Sequence, residues 1–292
     1  MSQLQCGQRQ LSLAQPAVMG ILNVTPDSFS DGGLHYRNDS RDISRAVDAA
    51  AAMVADGATL IDVGGESTRP GAEPVSVEQE LQRVVPVVEA LTARLDVIVS
   101  VDTSSAQVMV AAAQAGAGMI NDVRALRREG ALAAAAATEL PICLMHMQAE
   151  PGTMQQRPSY QDVVAEVGSF LEQRVAACKA AGIARHRLLL DPGFGFGKTL
   201  EHNLALFRSL PELAQLQLPL LVGVSRKSMI GELLNCAVDQ RANGSVVLAL
   251  MAAQALQQCA QCLLRVHDVK HTVEALRLWQ AVRSDQDPII KN

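Results

Sequence analysis

Short apolar runs alternate with Ala-rich segments of helical pattern along nearly the whole chain of 292 residues. The runs are continuously apolar, which is typical of strands buried on both faces of a parallel sheet. Alternation of such strands with helices indicates crossover connections and an α/β fold. Eight strands are predicted, at residues 17–23, 58–64, 96–102, 118–122, 141–147, 187–193, 219–225 and 263–267.

Helices are predicted between these strands. The clearest cover residues 41–55, 77–94, 160–181, 244–258 and 270–282. Ser76 with Gln79, and Ser104 with Gln107, have the spacing of an N-terminal capping box. We therefore expect one helix to begin after Ser76 and the next to begin after Ser104.

The number of units predicts the architecture. Eight strand and helix units fit a closed (β/α)8 TIM barrel, whereas a doubly wound open sheet, the alternative, usually has fewer units. Because such barrels reach about 250 residues undivided, we expect a single domain over residues 1–292. Its core would span residues 17–283, with an N-terminal extension and long loops after strands one and two.

Composition narrows the class of partner. The formal net charge is −5 and 19% of the residues are charged, which argues against nucleic-acid binding and attachment to an anionic membrane. The first residues lack a signal-peptide pattern, and no apolar run reaches about 18 residues. Six scattered cysteines fit a reducing compartment. We therefore expect a cytoplasmic protein with small-molecule partners.

Polar side chains close every predicted strand. In a barrel the C-terminal ends of all strands meet at one mouth, where catalytic groups lie. This pattern predicts a functional site at that mouth. The candidates are Asn23, Asp62, Asp102, Asn121, Asp122, His146, Asp191, Ser225, Arg265 and His267.

Two carboxylates and an amide, Asp102, Asp191 and Asn121, are expected to project into the same mouth. An unpaired buried carboxylate is costly. Either Lys227 or Arg265 neutralises these groups, or they bind a ligand that presents several N–H donors, since a carboxylate accepts two parallel hydrogen bonds. The sequence leaves both interpretations open.

A glycine-rich segment, "DPGFGFGKT" at 191–199, follows the sixth strand. It is not a phosphate-binding P-loop, because Pro192 stands where that motif requires glycine. Two interpretations remain. The segment is a tight turn whose Phe194 and Phe196 cap the barrel, or its backbone approaches a flat ligand that has an aromatic wall.

Basic residues near the last two strands predict an anion site. Ser225 and Lys227 lie where a strand becomes a helix, a position that favours a bound anion. Arg265 and His267 point to the same side of the last strand, as a clamp for a polyanion such as phosphate requires. Arg226 is expected to form an outward ion pair.

The loops after the first two strands are further candidates. The second, "GGESTRPGA" at 64–72, contains Thr68 and Arg69, which can reach an acidic group of a ligand or belong to a solvated turn. The first contains "NVTPDSFSDGG" and extends for roughly fifteen residues, a length at which loops are often functional.

Eight short motifs occur in order along the chain: "ILNVTPDSFSDGG", "IDVGGESTRPGA", "SVDTS", "INDV", "MHMQ", "DPGFGFGK", "GVSRKSMIG" and "RVHDV". In this order and spacing they resemble the dihydropteroate synthase family of pterin-binding TIM barrels. The resemblance extends from Met19 to the region of Val282. Ala149 and the pair Gln258 and Cys259 depart from the family pattern, at positions without an assigned role.

The resemblance implies an activity. It is the condensation of 6-hydroxymethyl-7,8-dihydropterin diphosphate with 4-aminobenzoate to give 7,8-dihydropteroate and diphosphate. The family mechanism is a dissociative substitution, so catalysis depends on positioning and charge stabilisation. The alternative is a pterin-binding paralogue without synthase activity. A corrinoid-dependent methyltransferase is disfavoured because Asn23, Arg265 and His267 are all present.

The resemblance also implies roles for individual residues in binding the first substrate. The pterin ring would be bound by Asp102, Asn121, Asp191, Lys227, Met145 and Phe196. The diphosphate would be held by Arg265 and His267, and by Asn23 through a Mg²⁺ ion, which prefers oxygen ligands shared with phosphates.

Further residues are implied for the second substrate and for assembly. Phe29, Thr68, Arg69 and Pro70 would surround the aminobenzoate, and Ser225 would meet its carboxylate. The implied catalytic groups are Asp31, facing the developing cation or the amine, together with Lys227, Arg265 and His267. The family is usually homodimeric, and the helices predicted at 244–258 and 270–282 are candidate contacts.

Overall fold

The computed structural model describes residues 3–25, 40–66, 75–149, 154 and 158–283. Ten β-strands run through this part of the chain. In order they are β1 Gln3–Cys6, β2 Arg9–Ser12, β3 Ala17–Asn23, β4 Leu60–Gly64, β5 Ile98–Asp102, β6 Met119–Asp122, β7 Ile142–Met145, β8 Leu188–Asp191, β9 Leu220–Val222 and β10 Cys262–Val266.

Helices separate the strands from β3 onward. In order they are α1 Ser40–Ala55, α2 Val77–Arg94, α3 Ala106–Gln114, α4 Ala131–Thr138, α5 Val163–Ala180, α6 Leu200–Arg208, α7 Leu210–Leu213, α8 Ser228–Leu234, α9 Ala242–Leu256 and α10 Val269–Arg283. Short 3-10 turns lie at Arg185–Arg187, Ala214–Leu216 and Val238–Gln240.

Strands β3 to β10 close into a parallel barrel. Each strand pairs with its neighbours in the chain, and β10 pairs with β3 to complete the ring. Closure confirms the (β/α)8 fold and excludes the open sheet. Side chains alternate between two cores: Leu60 and Ile98 fill the barrel interior, whereas Ile61 and Val99 pack outward against the helices.

The ends of the helices and strands are set more by local hydrogen bonds than by the hydrophobic pattern of the sequence. The helix predicted at 77–94 is observed as α2 over those residues. Helix α5 begins three residues later than predicted, because the Asp162 carboxylate accepts hydrogen bonds from the backbone of Val164 and Ala165 and so fixes the helix start. Strand β9 has only three residues of the predicted run 219–225.

One of the two predicted capping boxes is confirmed. Ser76 and Gln79 exchange the expected hydrogen bonds at the start of α2. The prediction for Ser104 was wrong: the residue that caps α3 is Ser105, which accepts a hydrogen bond from the backbone of Val108. The Ser104 hydroxyl donates instead to the buried carboxylate of Asp122. A hydrogen bond to a carboxylate is stronger than one to a neutral backbone group at a helix start.

An N-terminal hairpin closes the bottom of the barrel. Strands β1 and β2 pair antiparallel, and Leu4, Cys6 and Leu11 join the interior cluster of the barrel. The sequence predicts only an extension here; β1 does alternate polar with buried apolar residues, whereas β2 has a single buried apolar residue, Leu11. With this end covered, the mouth at the C-terminal ends of the strands is the open end.

Within the described residues, no helix is long and apolar enough to cross a bilayer.

Candidate active site

The parallel register brings the predicted polar residues to one level of the mouth. Asn23 pairs with Gly64, Gly64 with Asp102, and Asp102 with Asn121, so the ends of β3 to β6 form one row. A Cβ at Gly64 would lie 3.5 Å from Asn23 Oδ1 and 3.9 Å from Asp102 Oδ2. Gly64 therefore leaves space between these two side chains.

Arg265 from β10 reaches across the mouth to β4 and β5. Its Nε donates to Asp62 Oδ2 at 2.6 Å, and its Nη2 donates to Asp102 Oδ2 at 2.9 Å. Asn121 Nδ2 also donates to Asp62 Oδ2, at 3.0 Å. Of the two interpretations left open for the carboxylates, neutralisation by Arg265 therefore applies to Asp102, and it applies equally to Asp62.

The charges in this cluster depend on each other. Burial raises the pKa of Asp102 to about 7, and the positive charge of Arg265 opposes that shift. Burial alone would lower the pKa of Arg265, but Asp62 and Asp102 raise it above its ordinary value. Arg265 therefore stays charged, and a guanidinium with five N–H groups keeps donors beyond the two bonded here.

Asp191 is the last residue of β8, and one oxygen of its carboxylate is hydrogen-bonded. Its Oδ1 accepts a hydrogen bond from the backbone of Gly193 at 2.7 Å. A Cβ at Gly223 would lie 3.9 Å from Oδ2, so the glycine keeps space beside that oxygen. Burial raises the pKa of Asp191 to about 6, against the lowering effect of Gly193, Lys227 and Arg265. The carboxylate is thus mainly ionised at neutral pH.

Lys227 lies over the face of Phe196. Its Nζ is 4.1 Å from the ring centroid, a cation–π geometry. A Cβ at Gly195 would be 3.3 Å from Lys227 Cδ, so a side chain there would crowd the lysine. Burial, followed by the charge of Arg265, lowers the pKa of Lys227 to about 8.

The two phenylalanines of the glycine-rich turn have different positions. Phe194 is 1% exposed and packs against Phe207, with 5.8 Å between ring centroids, so it is a core residue. Phe196 instead belongs to a small apolar cluster. The other members of this cluster are Val123, Met145, Met147 and Met154.

His267 and Ser225 form a hydrogen-bonded pair. Ser225 Oγ accepts from the backbone of His267 at 3.1 Å and lies 3.0 Å from its Nδ1. Burial, with help from Arg265, lowers the pKa of His267 to about 4, so its imidazole is neutral at pH 7. In the tautomer whose Nδ1 accepts the Ser225 hydroxyl, the ring proton is on Nε2, and His267 is then a neutral hydrogen-bond donor.

Arg226 forms the predicted outward ion pair. Its Nη2 and Nε lie 2.6 Å and 3.1 Å from the two carboxylate oxygens of Asp268. Its backbone has a φ of 56°, and its amide donates to Ser245 Oγ at 2.9 Å. This arrangement directs Arg226 to Asp268 and leaves Lys227 for the mouth.

A second charged network was missed by sequence reasoning. The buried Arg124 donates to Glu66 Oε2 and to Ser104 Oγ, both at 3.2 Å. Asp122 accepts from the backbone of Arg124 and Leu126, at 2.8 Å and 2.7 Å. Asp122, one of the strand-end candidates, is therefore a structural anchor of the turn after β6. No local pattern relates Arg124 to Glu66, which is 58 residues away.

Some expectations lie outside the described residues or concern isolated positions. Phe29, Asp31, Thr68, Arg69 and Pro70 all lie outside the residues that the structure describes. In the described part of the chain, no group of three or more His, Cys, Asp or Glu side chains could hold a metal ion. Ala149, a departure from the family pattern, has a φ of 62°, the conformation that glycine adopts most readily.

Comparisons of sequence and of structure both relate the chain to dihydropteroate synthases. The profile described as "Pterin binding enzyme" matches residues 19–267. Dihydropteroate synthase of Escherichia coli K12 is 56% identical over 277 residues, which are 95% of each chain. A Yersinia pestis dihydropteroate synthase solved with a sulfonamide drug complex is 54% identical, with a TM-score of 0.88 and coverage of 96% and 99%. A Xanthomonas albilineans dihydropteroate synthase solved with 4-aminobenzoic acid is 52% identical, with a TM-score of 0.89 and coverage of 98% and 99%.

Replacing Arg265 by methionine tests the central ion pairs. R265M leaves Asp62 and Asp102 without their cation, so we expect the free energy of unfolding to fall by about 3–5 kcal/mol at pH 8. Burial already raises the pKa of Asp102 above its value in the unfolded chain, and loss of the Arg265 charge raises it further. The penalty is therefore present at high pH and shrinks as pH falls toward 6 and Asp102 binds a proton. Urea denaturation across this pH range measures it.

Arg9 provides the matched control, because its ion pair with Asp96 is on the surface, with side chains 39% and 94% exposed. R9M should cost no more than about 1 kcal/mol, and the loss should not follow the pH dependence of R265M. Equal losses in the two variants, or a loss in R265M that is the same at pH 8 and pH 6, would contradict the role given to Arg265.

Proposed function

The chain belongs to the pterin-binding enzyme family, as a member of its dihydropteroate synthases, and from that premise we propose its reaction. It is a transferase that condenses 6-hydroxymethyl-7,8-dihydropterin diphosphate with 4-aminobenzoate and releases diphosphate. The observation that carries the proposal is the buried carboxylate of Asp191, with space beside its Oδ2, near Lys227 stacked on Phe196. These groups suit a flat, nitrogen-rich ring.

The pterin ring is recognised by the carboxylate side of the mouth. A dihydropterin presents a ring N–H and an amino group side by side, and an ionised carboxylate such as Asp191 accepts such a pair. Asn121 uses its amide N–H on Asp62 and therefore has its carbonyl oxygen for a further ring N–H. Lys227 suits the ring carbonyl, and Phe196 with Met145 supplies the apolar wall.

The diphosphate is held by the cationic side of the mouth. Arg265 is fixed by two carboxylates and keeps further N–H donors. His267 adds a neutral Nε2–H donor. When diphosphate leaves, negative charge accumulates on it while the methylene carbon becomes electron-poor, so fixed donors that face the leaving group stabilise the transition state. Positioning replaces a protein nucleophile in this reaction.

The second substrate approaches from the loop side. We assign Phe29, Thr68, Arg69 and Pro70 to the walls around 4-aminobenzoate and Asp31 to its amine or to the developing cation, on the basis of the family resemblance. The carboxylate of 4-aminobenzoate is assigned to Ser225, which is 5% exposed and lies beside His267. The Xanthomonas relative solved with 4-aminobenzoic acid supports this substrate.

A Mg²⁺ ion fits the mouth if protein and substrate both supply its oxygen ligands. Asn23 supplies an amide oxygen next to the space kept by Gly64. The described residues do not form a metal cage of their own, and Mg²⁺ commonly takes one or two protein oxygens while substrate phosphates and water complete its shell. Bound there, the ion would neutralise charge on the departing diphosphate.

We further propose a homodimer through α9 and α10. The two helices pack side by side, and each leaves an apolar pair on its outer face at the spacing of one helical turn. The exposed pairs are Val247 with Met251, and Leu278 with Val282. This agrees with the helices expected from the sequence, although the observed bounds differ by up to two residues at each end.

A cytoplasmic location also fits. All six cysteines are free thiols, and a reducing compartment keeps thiols in that state. Substrates of this size and charge meet the protein there as small molecules, without a nucleic-acid or membrane partner.

The reaction is tested by a two-substrate assay. Diphosphate release from the dihydropterin diphosphate should depend on 4-aminobenzoate, with dihydropteroate formed in equal amount. D191N, which mispairs a buried acceptor with N–H donors, should weaken pterin binding by about 1–3 kcal/mol or more, measured by calorimetry. D96N, at an exposed position, is the control. Pterin binding without product formation would instead support the paralogue.

The metal is tested by its removal. Excess chelator should abolish diphosphate release, and N23A should raise the Mg²⁺ concentration needed for half-maximal rate. Binding of 6-hydroxymethyl-7,8-dihydropterin, which lacks the diphosphate, should be the same with and without Mg²⁺. Undiminished turnover in chelator would remove Mg²⁺ from the mechanism.

The dimer is tested by charge on the outer face of α9. The double variant V247D/M251D should sediment as a monomer, because burying two carboxylates in an apolar interface is costly. V110D, at a 37% exposed position of α3, should leave the oligomeric state unchanged. A wild-type chain that sediments as a monomer at micromolar concentration would refute the interface.

A further inference from the structure

Lys198 is a buried lysine that the proposed reaction does not use. It is 4% exposed, and its Nζ lies 2.8 Å from Gly193 O, 3.1 Å from Phe196 O and 2.9 Å from His146 Nδ1. A lysine ammonium has three N–H donors and no acceptor. Each donor therefore has one acceptor, and none of the three acceptors carries a charge.

The histidine partner is held as an acceptor. Burial, followed by the charge of Lys198, lowers the pKa of His146 to about 2, so the ring is neutral and its Nδ1 accepts. Phe170 packs edge-on against the imidazole, with 4.9 Å between ring centroids. Tyr160 flanks it on another side and donates its hydroxyl to Gly197 O at 2.9 Å.

The carbonyl partners belong to the turn that builds the pterin pocket. Gly193, Gly195 and Gly197 all have φ between 64° and 77°, a conformation that is entropically costly to hold. A Cβ at Gly193 would lie 1.8 Å from His146 O, so the turn packs directly on the backbone after β7. This turn supplies the amide that binds Asp191, and it carries the ring of Phe196.

The charge of Lys198 acts on the same carboxylate. The cations that lower the pKa of Asp191 are Lys227, Arg265 and Lys198. The neighbouring acids are Asp62 and Asp102, which together with Asp191 raise the pKa of the buried Cys143 thiol. Lys198 in turn is faced by Asp191, Lys227 and His146. Lys227 and Arg265 are assigned to substrate, whereas Lys198 is enclosed by protein. Its hydrogen bonds to Gly193, Phe196 and His146 therefore do not depend on substrate.

We propose that Lys198 is a positioning residue of the pterin pocket: its ammonium holds the Gly193–Phe196 turn against His146, and its charge adds to those of Lys227 and Arg265 that act on Asp191. The proposal rests on the proposed function only in taking the ligand of Asp191 to be a pterin. It assigns Lys198 no contact with substrate.

The charge of Lys198 acts mainly below pH 7, a range that includes the pH at which Asp191 gains its proton. Burial lowers the pKa of Lys198 to about 7, with Asp191 opposing that shift, and burial raises the pKa of Asp191 to about 6. Where Asp191 gains its proton, Lys198 is therefore still mainly charged. Removing that charge raises the pKa of Asp191 further and moves its protonation to higher pH.

The first test needs no ligand. The carboxyl carbon of Asp191, assigned with D191N, is titrated by NMR in wild type and in K198M. We expect the midpoint in K198M to rise by about one pH unit, the effect of losing a nearby opposite charge. K179M, which removes an exposed lysine of α5, should leave the midpoint unchanged. An unchanged midpoint in K198M would overturn the charge role.

The second test separates charge from hydrogen bonding and covers the case in which K198M does not fold. K198Q keeps N–H donors but has no charge, so its Asp191 midpoint should rise as in K198M. The acid limb of kcat/KM for the dihydropterin diphosphate should move up by a similar amount, while KM for 4-aminobenzoate stays the same. Lower thermal stability with an unmoved acid limb would reduce Lys198 to a structural residue. If the wild type binds no pterin, the proposed function fails, and the titration still decides the role of Lys198.

Discussion

The mouth of this barrel depends on the position of one guanidinium. Arg265 starts on β10, passes the end of β3 and forms ion pairs with Asp62 on β4 and Asp102 on β5. Arg265, Asp62 and Asp102 are held in one arrangement, because a carboxylate that lost its ion pair would be an uncompensated buried charge. The carboxylates in turn fix which N–H groups of Arg265 face the interior and which face the mouth.

The remaining groups follow from that constraint. Burial, followed by the charge of Arg265, lowers the pKa values of Lys227 and His267, so His267 is a neutral side chain paired with Ser225. Asp191 lies at the end of β8, two strands from Arg265 in the barrel, where the glycine-rich turn binds its Oδ1 and Gly223 keeps space beside its Oδ2. The mouth therefore combines N–H donors, which suit phosphate oxygens, with carboxylate acceptors, which suit the ring N–H groups of the proposed substrate. A substrate with a diphosphate at one end and a pterin at the other matches both.

The scaffold makes this arrangement possible at only one end. The hairpin of β1 and β2 inserts Leu4 and Leu11 into the interior cluster, so the lower half of the barrel is a packed core that keeps water and ligands out. Stability and chemistry are thus separated along the barrel axis. The lower layers are apolar, whereas the upper layer carries buried charges that a ligand can complete.

Local signals in the sequence determined the fold class, the eight parallel strands, helix α2 with its Ser76 cap, and the set of polar residues that end the strands. Apolar periodicity and capping act between residues a few positions apart, so one segment is enough to reveal them. Tertiary structure alone decided that Arg265 pairs with Asp62 and Asp102, 203 and 163 residues away, and that Asp122 recruits Ser104 away from helix capping. It also decided that Phe194 is core while Phe196 meets Lys227, and that Lys198 is enclosed by His146 and two carbonyls. The physical reason is that charge neutralisation and burial depend on which groups share a low-dielectric space, and that space exists only after the barrel has closed.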